Sequence, residues 1–138
     1  MKDILIYLKE CIENDISPAD FDLIEDSQTK WIMDKIQDIS KRKKVVKILD
    51  YGCGNMRLYN ALSKTNINFI YDGCDFVEPE ILRTGFLNSN CSFIDLKKIA
   101  YAKRNNYDII CLQNVIHEIS ILSFVEILLN VKILIKDD

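Results

Sequence analysis

The stretch "VVKILDYGCGNMRLYNAL", residues 45–62, decides how this chain is read. An apolar run ends in Asp50, two glycines flank Cys53, and an amphipathic segment follows. An apolar strand that turns into a helical pattern opens a βαβ unit. The whole chain holds four glycines, and Gly52 and Gly54 fall here. Glycine adopts positive φ without strain and has no Cβ to obstruct a neighbour. In open parallel α/β sheets, ligands lie outside the carboxyl ends of the strands. The stretch therefore predicts a first strand and a tight turn. The turn's backbone passes close under a bound group, and Asp50 faces the same crevice.

Working outward, further apolar runs alternate with helical segments: "NFIYDGCD" (68–75), "CSFID" (91–95), "YDIICLQ" (107–113) and "VKILIK" (131–136). With "VVKILD" (45–50) these make five expected strands. Strands separated by helices predict an α/β fold with a mostly parallel, Rossmann-like sheet in a three-layer α/β/α sandwich. Near-continuous apolar strands fit a sheet covered on both faces. Residues 1–44 read as an N-terminal helical cap and residues 45–138 as the core of one domain. In the cap, Ser17 is an expected N-cap with Pro18 at the first helical position. A helix near 27–41 places Trp31, Ile32, Ile36 and Ile39 on one side, with Trp31 expected in the core. The basic "KRKK" (41–44) reads as a solvated helix end. Asp108, at the amino end of its strand, reads as a solvated turn residue. Tyr51 and Tyr59 read as packing residues.

The composition is that of an ordinary globular domain, 49% hydrophobic and 28% charged. A net charge of −3 gives no global attraction to nucleic acid, although "KRKK" leaves a local contact open. No apolar run approaches the ~20 residues that span a bilayer. The N-terminal "MKDILIYLKECIENDIS" is broken by charges and reads as an amphipathic helix. Five widely spaced cysteines, with no CxxC pair, argue against a zinc site. They read as reduced thiols of a cytoplasmic protein.

Asp75 closes the second expected strand, 21 positions after Gly54. An acid about 20 residues beyond the glycines accepts ribose hydroxyls in dinucleotide folds. With these residues in place, "VVKILDYGCGNMRLYNAL" resembles the first motif of the class I S-adenosylmethionine-dependent methyltransferases. "YDGCDFVEPEIL", "CSFIDL" and "YDIICLQNVIHEI" resemble the second, third and fourth, in order, over residues 45–138. The resemblance implies S-adenosylmethionine as cofactor and methyl transfer as activity. It places Asp50, Gly52 and Gly54 along the methionine half, Asp75 on the ribose diol and Asp95 at adenine. Gln113 or Asn114 would then sit beside the sulfonium. His117, the single histidine, reads first as a first-turn helix residue packing on the loop, and also suits a general base beside Asn114. Met56 stands where the family often has a third glycine.

The residues alone leave other readings open. The glycines also fit a plain strand-to-helix turn, and Asp75 and Asp95 also fit helix caps. A non-catalytic binding or scaffold subunit is the main alternative; a nicotinamide-nucleotide binder is disfavoured by the missing third glycine. The family sheet has two strands after the fifth, so the resemblance implies a piece of a longer protein, a minimal form completed by self-association, or a degenerate relative. An apolar fifth strand at the edge would invite a second copy or a partner subunit.

Overall fold

In a computed structural model the structure describes residues 18–76, 78, 89–101, 106–113 and 120–136. Helix α1 (Pro18–Ser40) leads into strand β1 (Val46–Tyr51). Helix α2 (Arg57–Leu62), β2 (Phe69–Asp75) and β3 (Cys91–Asp95) follow. A 3-10 helix (Leu96–Tyr101), β4 (Ile109–Cys111) and helix α3 (Ile121–Leu134) complete the described elements. The four strands form one sheet in the order β3-β2-β1-β4, parallel throughout. The chain thus steps outward from β1 to β3, then returns to the other side of β1. That reversal opens a crevice beyond the carboxyl ends of β1 and β4.

Burial explains the apolar strands. Ile48 and Leu49 are successive residues, so they point to opposite faces, and both are fully buried. Ile48 joins a cluster with Ile36 of α1, Leu58 and Leu62 of α2, and Tyr71. Leu49 joins a second cluster with Ile99 of the 3-10 helix and with Ile127 and Leu134 of α3. The expected helix side of Ile32, Ile36 and Ile39 packs into the first cluster. Trp31 does not: it is 45% exposed, with the Lys35 ammonium 5.3 Å from its ring centre. It lies about 100° around the helix from Ile32, which turns it off the buried face. Tyr51 and Tyr59 are buried, as packing residues should be.

The expected fifth strand is not formed. Residues 121–134 are one helix, and "VKIL" is its last turn. Ser120 caps it, accepting from the Ser123 N–H at 3.2 Å, and no Gly or Pro interrupts the apolar run behind it. A short apolar run cannot be told from a buried helix by its period alone, and here continuity with the preceding helical segment wins. Only Ile135 reaches the sheet, in a single parallel bridge to Tyr107. The run expected as strand five therefore forms no strand, and among the described residues β4 is the last strand on that side.

Asp108 also departs from expectation. Its side chain is 1% exposed, although it precedes a strand. Lys43 and Lys136 each donate to Oδ1 at 2.7 Å, and the Lys47 N–H donates to Oδ2 at 2.8 Å. The α1–β1 connection, the start of β4 and the residues after α3 all meet at this carboxylate. Lys43 of the basic run is thus part of a tertiary knot, while Lys41 makes only a surface pair with Asp38. Burial pushes the Asp108 carboxyl up, but the lysine and backbone donors outweigh it and hold it at about 2.

Candidate functional site

The turn after β1 is built from three left-handed residues: Gly52 at φ 82°, Gly54 at φ 49° and Met56 at φ 62°. The glycines take this conformation freely; for Met56 it costs on the order of 1 kcal/mol. Complete burial of the Met56 side chain in the first cluster, worth about 2 kcal/mol, offsets that cost. Met56 therefore points into the core and leaves the crevice open.

The loop is fastened to β2. The N–H groups of Gly52 and Cys53 both donate to the Cys74 carbonyl, at 2.7 and 3.0 Å. The Gly54 N–H donates to Oδ2 of Asp75 at 2.9 Å, and the Phe76 N–H donates to Oδ1 at 2.7 Å. A Cβ at Gly54 would meet no atom within 4 Å, so the loop's outer side faces open space. Gly73 lets the loop approach: a Cβ there would lie 3.0 Å from the Cys53 sulfur and 3.2 Å from the Tyr71 ring. Gly73 was missed in the sequence, although a glycine inside a strand marks close approach of another backbone.

Asp50 lies beneath the loop at 3% exposure. Tyr71 Oη donates to its Oδ2 at 2.6 Å. Burial pushes the Asp50 carboxyl up to about 6; the Tyr71 hydrogen bond opposes that, and the Asp75 charge adds to it. Burial likewise raises the thiols of Cys53, Cys74 and Cys111, so none is an activated nucleophile.

A cavity of about 720 Å³ opens at this end of the sheet. That lies within the ~300–1,000 Å³ range of small-molecule sites. Asp50, the glycine loop, Asp75 and Gln113 all line it. Tyr51, Leu96, Ile99 and Ile127 supply apolar wall. Glu126 and Asn130 of α3 join from a segment that the sequence reading gave no site role. Gln113 is also tied to α1: its Nε2 donates to the buried Thr29 hydroxyl at 3.0 Å. Asp95 behaves as a cap, accepting the Lys97 N–H at 2.9 Å, and Leu96 and Lys97 form the wall beside it. Asn114 and His117 lie outside the described residues.

The occupied N–H groups limit what the cavity can hold. Phosphate sites need backbone donors aimed at the ligand. Here the Gly52, Cys53 and Gly54 donors are already taken by protein acceptors. Carboxylates of Asp50 and Asp75 stand beside them. That arrangement repels a pyrophosphate and suits a neutral or cationic group bearing hydroxyl donors. Among the described residues no group of three His, Cys, Asp or Glu is placed to hold a metal ion. None of their helices is long and apolar enough to cross a membrane. Comparison of the chain with protein-family models, curated proteins and solved structures finds no match.

Proposed function

We propose that the cavity binds S-adenosylmethionine and that the chain acts as a methyltransferase, or as the cofactor-binding part of one. The finer architecture on this reading is a three-layer, Rossmann-like sandwich with α1 as part of a helical cap. The carrying observation is Asp75. A carboxylate offers about four lone-pair sites, and the Gly54 and Phe76 N–H groups take one on each oxygen. One site per oxygen remains, on a fork held by two backbone donors. Two vicinal hydroxyls of a ribose match such a fork.

Charge supports the same ligand. S-adenosylmethionine has no phosphate and, when bound, supplies an electrophilic methyl group on a cationic sulfonium. Asp50 and Asp75 favour a cation at the glycine end. Tyr51, Leu96 and Ile99 offer an apolar wall for a purine. Gln113, two residues beyond β4, marks the side where the acceptor enters, with Asn114 and His117 following it in sequence. In-line transfer to a good nucleophile needs mainly alignment, which a rigid loop and strand end provide. The buried free thiols accord with a cytoplasmic location.

Thermal unfolding with S-adenosylmethionine, S-adenosylhomocysteine and NADH tests this reading. A ligand at 100 times its dissociation constant adds about 2.7 kcal/mol. Both sulfur nucleosides should therefore raise the midpoint by about 10 °C, and NADH should not. The second reading, a non-catalytic binding subunit, is favoured by the exposed apolar face of α3 described below. A midpoint that none of the three ligands moves would select it.

A further inference from the structure

We infer that this chain pairs with a second copy of itself through the outer face of α3. The helix is apolar almost all round, yet it is packed on one side only. Ile127 and Leu134 are buried against the sheet, and Ser123, Glu126 and Asn130 face the cavity. The opposite face carries Ile121, Leu122, Val125, Leu128, Leu129 and Ile133, each between 41% and 83% exposed. Their spacings of three and four residues form one continuous stripe. A helix that is apolar all round is normally buried.

Area and charge point to a second copy as the occupant. Six large aliphatic side chains exposed to this degree make a patch on the order of 600 Å², at the upper limit for a typical monomer. Two such patches face to face remove roughly 1,200 Å², where specific interfaces begin. The charged residues of α3 are Glu126, on the cavity side, and Lys132. Lys132 sits near the carboxyl end of the stripe. Antiparallel pairing about a two-fold axis puts the two lysines at opposite ends of the seam; parallel pairing would bring them together. A two-fold axis also makes the contact self-complementary and closed.

Sedimentation velocity from low to high micromolar concentration tests the inference. The expected result is a reversible species of twice the chain mass. Leu129→Glu should weaken it by at least about tenfold, since a charge at the centre of an apolar seam is left unpaired. Leu122→Lys repeats the test where the side chain is 83% exposed, so folding is spared if Leu129→Glu unfolds the chain. Lys64→Glu, exposed beyond α2, should change nothing. A monomer at every concentration would overturn the inference and leave the stripe to another occupant, such as the amphipathic residues 1–17. A dimer indifferent to both α3 substitutions would overturn it too, as would open-ended aggregation.

Discussion

Asp50→Asn should raise the stability of the protein at pH 8 by up to about 3 kcal/mol and leave it nearly unchanged at pH 4. Asp50 is 3% exposed and held at about 6 in the folded chain, against 3.8 for the ordinary group. A raised carboxyl favours folding while protonated. That contribution is complete below 3.8 and is lost as pH rises through about 6. Above pH 6 the folded protein carries a buried charge whose only hydrogen-bond donor among the described residues is the Tyr71 hydroxyl. Two pH units at about 1.4 kcal/mol each set the size of the penalty. Asparagine cannot ionise, and its carbonyl can still accept the Tyr71 hydroxyl. An unpaired amide NH₂ would reduce the gain by about 1 kcal/mol. Urea unfolding at pH 4, 6 and 8 reads the effect directly. A variant less stable than the parent at pH 8 would refute the assignment. A residue that costs stability at neutral pH and lines a cavity is what a binding site retains for function. The same variant should therefore bind a cationic ligand more weakly.

Asp108→Ala should act in the opposite direction and cost about 3 kcal/mol at pH 7. The substitution leaves the Lys47 N–H without its acceptor and releases two lysines that tie the α1–β1 connection and the end of α3 to the sheet. Lys43 and Lys136 are about a third exposed, so they rehydrate, which keeps the loss below that of a fully buried pair. Because Asp108 is held at about 2, its contribution is present above 3.8 and fades as pH falls through 2. So far as these two carboxyls decide it, stability is greatest near pH 4, where the Asp108 contribution is nearly complete and that of Asp50 has only begun to fade, below the usual optimum. Denaturation midpoints from pH 2 to 8 on both variants separate the two limbs. An Asp108→Ala protein as stable as the parent at pH 7 would show that the knot is surface decoration.

Much of the fold was legible because local signals agreed with each other. Alternating apolar runs gave β1, β2 and β3 nearly to the residue, since turn residues bound them and their apolar side chains are mostly buried in β1 and β2 and half-buried in β3. The glycine turn and Asp75 were legible through spacing, and the structure joins them in one hydrogen bond. What failed had tertiary causes. "VKILIK" has strand-like residues, but an unbroken capped helix precedes it and absorbs its first four. Asp108 looked solvated because nothing local shows that Lys43 and Lys136, 65 and 28 residues away, converge on it. Trp31 looked like core by hydrophobicity, yet helix phase puts it outside. Glu126 and Asn130 were passed over because their segment read as plain packing, and only the folded chain brings it to the cavity.

The most direct test of the account is calorimetric titration of the protein and its Asp75→Ala variant with S-adenosylmethionine. The account predicts saturable binding by the parent and at least about 30-fold weaker binding by the variant, the worth of two hydroxyl bonds to a fixed carboxylate. Absence of heat at millimolar ligand, or equal affinity in the two proteins, would contradict it.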